Sequence, residues 1–129
     1  MSPYTDTTTT TTVPAEITPP THVENPTEAT AYEAKHTPHI DIELTDKGTT
    51  FVTMQVGYYE SHPNELGHFF DWMELQAQGQ SIARFSGMPA ALSPRFTAEV
   101  NLAPETKLTA YAHCNLHGGW TATAVIPAQ

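Results

Sequence analysis

Seven histidines and one cysteine stand in a chain of 129 residues, and five of these eight side chains fall in three short segments. Lys35-His36-Thr37-Pro38 comes first, His62-Pro63-Asn64-Glu65-Leu66-Gly67-His68 second, and Cys114-Asn115-Leu116-His117 third, the last running into Gly118-Gly119-Trp120. One thiolate with several imidazoles is a soft to borderline donor set, suited to iron, copper or zinc rather than magnesium or calcium. Singly, each segment says little. A lone loop histidine is usually solvated or hydrogen-bonded, and a lone cysteine is usually a small buried hydrophobe. Together they form a candidate metal centre, although spacing alone leaves open whether His36 or His39 is its first ligand. His113 adjoins Cys114 on an expected strand and should point to the opposite face.

Composition removes the competing classes. A single cysteine excludes an intramolecular disulfide framework, a four-cysteine zinc or iron site, and a cluster held by this chain's thiolates alone. Fourteen acids against five Lys and Arg give a net charge of −9, the wrong balance for neutralising phosphates, so no nucleic-acid partner is expected. Adsorption to anionic membranes is disfavoured for the same reason. The N-terminus has neither the basic nor the apolar part of a secretory signal, and no apolar run reaches a membrane span. The expected setting is a reducing cytoplasm, where a lone thiol stays free unless a metal takes it.

The elements that must position these residues show in the hydropathy pattern. Residues 1–31 are rich in Thr, Pro and Glu, contain the run Thr7 to Thr12, and are read as a flexible tail. Residues 32–129 are read as one domain. His39 to Leu44 and Thr49 to Val56 alternate apolar and polar residues around Thr45-Asp46-Lys47-Gly48, which predicts a hairpin with one buried face. Phe69 to Ala77 is expected as a strand with Phe70 and Trp72 on one face and Asp71, Met73, Leu75 and Ala77 on the other. Ser81–Phe85, Arg95–Leu102, Lys107–Asn115 and Trp120–Ile126 complete an all-β, immunoglobulin-like antiparallel β-sandwich of about seven strands. The metal segments then sit where strands meet loops.

Three motifs in this order carry a resemblance: Lys-His-x-Pro; His-Pro-x4-His before an aromatic strand containing Trp72-Met73-Glu74-Leu75; and Cys-Asn-x-His-Gly-x-Trp. Over roughly residues 32–126 the chain resembles the superoxide reductases, also called neelaredoxins, and the catalytic domain of desulfoferrodoxin. The resemblance implies one non-haem iron per chain, cycling between Fe2+ and Fe3+, with four equatorial histidines and an axial cysteine. Matched residue by residue, the ligands are His36, His62, His68 and His117, with Cys114 as the axial sulfur and a sixth position open. The implied reaction is one-electron reduction of superoxide to hydrogen peroxide, with re-reduction by an external donor such as rubredoxin. Lys35 matches the family's active-site lysine, steering superoxide and holding a water that supplies a proton. With no further cysteines, the chain resembles the one-iron type, whose members are commonly homotetramers.

Two departures stand out. Where many members carry glutamate before the lysine, this chain has Ala34, and Glu33 lies one residue earlier. Taken as an extended segment, that shift turns Glu33 away, so water or hydroxide is expected as the ferric sixth ligand. Gly119 replaces a bulky apolar residue and is expected to loosen packing beneath the metal loop. Backbone amides of Asn115 and Leu116 are expected to donate to the Cys114 sulfur. Trp72 and Trp120 are read as packing residues, His39 and His113 as structural or surface residues, and His22 has no role. The alternatives are a cupredoxin-like copper carrier, which wants an axial methionine that does not follow His117, and a structural zinc module, which wants four ligands.

Overall fold

Strand alternation sets the architecture. The computed structural model describes residues 19–128, so the threonine run lies outside the described residues. Among the described residues the elements in chain order are β1 (Thr21–His22), α1 (Ala31–His36), β2 (His39–Leu44), β3 (Thr50–Gln55), β4 (Phe70–Ala77), β5 (Gln80–Ser86), β6 (Arg95–Val100), β7 (Lys107–Cys114) and β8 (Gly118–Val125), with a 3-10 turn at Pro26–Glu28. One sheet has the order β1-β8-β7-β4-β5 and the other β2-β3-β6. Every pairing is antiparallel except that of β1 with β8. The protein is an all-β sandwich, and each of the seven strands expected from residue 39 onward is present.

The core is the set of inward rows that period two predicts. Val52 and Met54 of β3 meet Leu108, Ala110, Ala112 and Cys114 of β7, all fully buried. The last member of the β7 row is therefore the cysteine, and regular alternation alone carries its thiol to the end of the core. In the predicted hairpin Leu44 pairs with Thr50, and Gly48 at the turn takes a φ of +86°, a value that favours glycine.

Three local readings change. Pairing of β4 with β7 slips between Phe70 and Trp72, a β-bulge that inserts Asp71 and breaks strict alternation. Phe70 consequently shares the core with Met73, Leu75 and Ala77, while Trp72 stays opposite them on the outer face, as expected. There it lies parallel to the rings of Tyr111 and His113, with the Arg84 guanidinium 4.3 Å above it. Second, Thr21–His22 pairs in parallel with Trp120 and Thr121. The end of the expected tail thus reaches the sheet, because edge pairing uses main-chain groups and needs no apolar side chains. Third, residues 31–36 are helical rather than extended. Thr30 caps α1, accepting from the Glu33 amide at 3.1 Å while its own amide donates to the Glu33 carboxylate at 3.2 Å. This reciprocal capping box is written in Thr30-x-x-Glu33.

Gly119 does not leave loose packing. A Cβ at this position would collide with the hydroxyl and ring of Tyr111, whose ring is held parallel to Trp72 at 4.9 Å. The missing side chain makes room for Tyr111. Gly119→Val is therefore expected to destabilise the protein by about 1–3 kcal/mol through overpacking, and Tyr111→Ala to remove most of that extra loss. Urea midpoints of the four proteins in the cycle would measure the coupling; equal losses from Gly119→Val in both backgrounds would contradict it.

Candidate metal centre

α1 delivers the first residues. Pro38 follows its end, and the six-residue helix finishes on His36, which is fully buried. The His36 Nδ1 lies 2.7 Å from the Tyr32 carbonyl, one turn back. A carbonyl only accepts, so Nδ1 carries the hydrogen and Nε2 is left with a lone pair. His62 repeats the arrangement in a loop: its Nδ1 donates to the Pro63 carbonyl at 2.6 Å, and its Nε2 stands 3.7 Å from the Cys114 sulfur. His68 is set by a tight turn in which its amide and carbonyl each pair with Glu65 at 3.0 Å. Its Nε2 is buried and has no hydrogen-bond partner. His117 presents Nδ1, which lies 3.1 Å from His36 Nε2 and 3.8 Å from the sulfur.

The four imidazoles form a square. Ring centroids are 4.7 Å apart for His36 and His62, 4.6 Å for His62 and His68, 5.1 Å for His68 and His117, and 4.9 Å for His117 and His36. The diagonal from His36 to His68 is 6.4 Å. Donor atoms of His36, His68, Cys114 and His117 all lie within 4.8 Å of one another, a group that could hold a metal ion. His62 falls outside that closest set but completes the square. All five residues expected from the sequence are thus brought together, and Trp120 stacks on His36 at 4.8 Å while Phe70 meets His62 at 4.6 Å.

Asn115 is the fastener. Its Oδ1 accepts from the Phe69 amide at 2.8 Å, its Nδ2 donates to the Gly67 carbonyl at 3.1 Å, and its own amide donates to the Phe69 carbonyl at 3.0 Å. The cysteine loop is thereby tied to the His62–His68 loop. The amides that reach the Cys114 sulfur are that of Leu116, as expected, and that of His117; the Asn115 amide donates to the Phe69 carbonyl instead. The other histidines lie apart from the square. His39 stacks on Tyr58 at 3.6 Å, His113 bonds Asp71 at 2.7 Å on the outer face, and His22 bonds the Thr121 hydroxyl at 3.2 Å.

The local chemistry fits a cation. Burial is the main force holding His36 below its ordinary pKa, and it takes His62 down to about 4; the carbonyls of Tyr32 and Pro63 oppose this, while neighbouring imidazoles and the Lys35 charge add to it. Burial pushes the Cys114 thiol up, against the two amides. An unpartnered buried ring nitrogen on His68, three further imidazoles and a sulfur form a site that could hold a metal ion. A structural zinc would take four ligands, and this site offers five donors. No helix among the described residues is long and apolar enough to cross a membrane.

Comparison with known proteins agrees with this geometry. The family model described as Desulfoferrodoxin matches residues 28–123. A putative superoxide reductase of Archaeoglobus fulgidus is 30% identical over 110 residues, covering 71% of this chain and 88% of that protein. One from Methanocaldococcus jannaschii is 32% identical over 98 residues, covering 72% and 83%. Among solved structures, the superoxide reductase (neelaredoxin) of Ignicoccus hospitalis superposes with a TM-score of 0.70 at 27% identity, over 85% of this chain and 95% of that one.

The depressed histidines fix a pH dependence for the metal-free protein. A histidine whose folded pKa lies below its unfolded value of about 6.5 leaves the unfolded chain binding more protons, so stability rises with pH. It is complete above about pH 6.5 and is lost as pH falls toward the His62 value of about 4. Melting of chelator-treated protein should drop progressively from pH 7 to 4.5, with a shallower drop in His62→Gln; a flat profile in the wild type would contradict the assignment.

Proposed function

The chain belongs to the desulfoferrodoxin family, and on that premise we propose that it is a superoxide reductase built on one non-haem iron. The observation that carries this reading is the square of four imidazoles with the buried Cys114 sulfur within 3.8 Å of two of them and an unpartnered nitrogen on a third. When bound, iron passing between Fe2+ and Fe3+ supplies the single electron that, with two protons, converts superoxide to hydrogen peroxide.

The chain's own residues prepare that chemistry. His36, His62, His68 and His117 hold the iron with Cys114. The Tyr32 and Pro63 carbonyls fix the tautomers of His36 and His62, so each presents Nε2 without rearrangement. Burial keeps protons off these rings at neutral pH. The Leu116 and His117 amides donate to the sulfur and moderate its electron donation. Lys35, half-buried on α1, places its positive charge close enough to bear on both His36 and His62. It draws the superoxide anion and holds the water that delivers a proton. Glu33 is no ligand in this reading, for a reason other than alternation: its carboxylate caps α1, and Ala34 is buried.

The lone thiol suits a reducing compartment such as the cytoplasm. A small one-electron carrier of the rubredoxin kind supplies the electron, and a homotetramer is the assembly expected by family resemblance.

Stopped-flow mixing of the reduced, iron-loaded protein with superoxide tests the proposal. Cys114→Ser should lose the thiolate-to-Fe(III) absorption and most of the reactivity; unchanged kinetics would sink the mechanism. Lys35→Met should lower the second-order rate about tenfold or more and flatten its dependence on ionic strength, as loss of local steering requires. A rate equal to wild type at low salt would remove Lys35 from the mechanism.

A further inference from the structure

Beside the metal residues stands a tyrosine that none of the three motifs includes. Tyr32 lies one helical turn before His36, so both side chains leave α1 on the same face. Its carbonyl fixes His36, as described, and its ring does something separate. The ring centroid is 4.8 Å from His36, 5.2 Å from His117 and 5.6 Å from Trp120. Against His117 and Trp120 the rings meet nearly at right angles, at 80° and 72°, the edge-to-face arrangement that aromatic quadrupoles prefer. Trp120 in turn lies flat on His36 and donates from Nε1 to the His117 carbonyl at 3.3 Å. Tyr32, His36, Trp120 and His117 are therefore one packed group.

His117 is the member that needs such support. His36 and Cys114 are fully buried, whereas His117 is exposed and is followed by Gly118 at a φ of +80°. It faces the centre with Nδ1 rather than Nε2. The outer torsion of a histidine is broad and roughly two-fold, so rotation of an unsupported ring would carry Nδ1 away from the centre. Burial does not prevent this, because the residue is exposed. Contact with a perpendicular ring does.

We propose that Tyr32 is the positioning residue of His117: its ring, anchored on α1 and still 47% exposed, holds the exposed imidazole with Nδ1 toward the metal and so slows loss of the ion. The proposal rests on reading these residues as an iron centre. It also couples two ligands through one residue, since the Tyr32 main chain orients His36 and its side chain orients His117.

The test follows iron release from the reduced, iron-loaded protein into excess ferrous chelator, together with the visible spectrum of the oxidised form. Tyr32→Ala should release iron about tenfold faster, the lower end of what loss of an orienting partner costs a metal site. The thiolate-to-Fe(III) band should shift in this variant. Tyr32→Phe, which keeps the ring, should match wild type in both readouts, and the urea midpoints of the metal-free proteins should agree closely. Should Tyr32→Ala fold poorly, Tyr32→Leu keeps the bulk without the aromatic plane and carries the same expectation. Release and spectrum unchanged in the alanine or leucine variant would overturn the role of Tyr32 alone. A wild-type protein that takes up no iron would overturn the metal-centre reading and this inference with it.

Discussion

The structure depends on one constraint: ring nitrogens, most of them withdrawn from water, must converge on one point. His68 Nε2 is buried with no partner, at a cost of about 1–3 kcal/mol for an unsatisfied polar group. His36 and His62 each commit one nitrogen to a carbonyl and turn the other inward. Protonation, which would relieve the desolvation of a carboxylate, worsens that of an imidazole, and each charge would be felt by the next ring. The arrangement is therefore held by the fold around it and could accept a cation.

The sandwich meets this constraint at one end. Cys114 arrives there because β7 alternates without interruption, and Phe70 arrives opposite it because β4 does not. Phe70 pairs with Cys114, and the bulge after it lets Met73 and Leu75 return to the core. Without that extra residue the rest of β4 would present the opposite face inward, or Phe70 would leave the side of His62. The bulge also places Asp71 against His113, so the residue beside Cys114 is tied down on the outer face while the cysteine faces in. Asn115 joins the cysteine loop to the His62–His68 loop through three hydrogen bonds, two from its side chain and one from its amide, all to main-chain groups. It fixes the distance between candidate ligands far apart in sequence, Cys114 and His117 on one loop and His62 and His68 on the other.

Much of this was legible in the residues. Alternation in His39 to Leu44, Thr49 to Val56 and Lys107 to Asn115 specified strands, since a period of two survives wherever one face is buried. The donor types pointed to a metal centre, and only the resemblance carried by the three motifs chose His36 over His39 and implied the set of five. What escaped was structure decided by contacts or by short-range signals passed over. The β4 bulge leaves no mark in Phe69 to Ala77, because its register is set by β7. Helix α1 is too short to show a period, and only the Thr30-x-x-Glu33 box announces it. Tyr32 sat in a segment read as the start of an extended run, where its one-turn relation to His36 has no meaning. Gly119 was read by its missing side chain, although the space is taken by Tyr111, a residue eight positions away in the chain and one strand over.

Helix α1 also changes how the charge of the chain bears on an anionic substrate. The net charge is −9, yet charges beyond about 8–10 Å are largely screened at ordinary ionic strength, so what matters is the set of ionised groups near the square. In an extended segment, Glu33 and Lys35 would project on the same side and the carboxylate would offset the ammonium. In the helix, Glu33 is drawn to the first turn, where its carboxylate meets the Thr30 amide and favourable helix-terminal partial charges. Lys35 remains in the last turn beside His36. With Ala34 between them, the segment contributes a cation near His36 and His62 and commits its carboxylate to the helix cap. Local secondary structure thus separates the Glu33 carboxylate from the Lys35 ammonium, a separation that composition alone does not reveal.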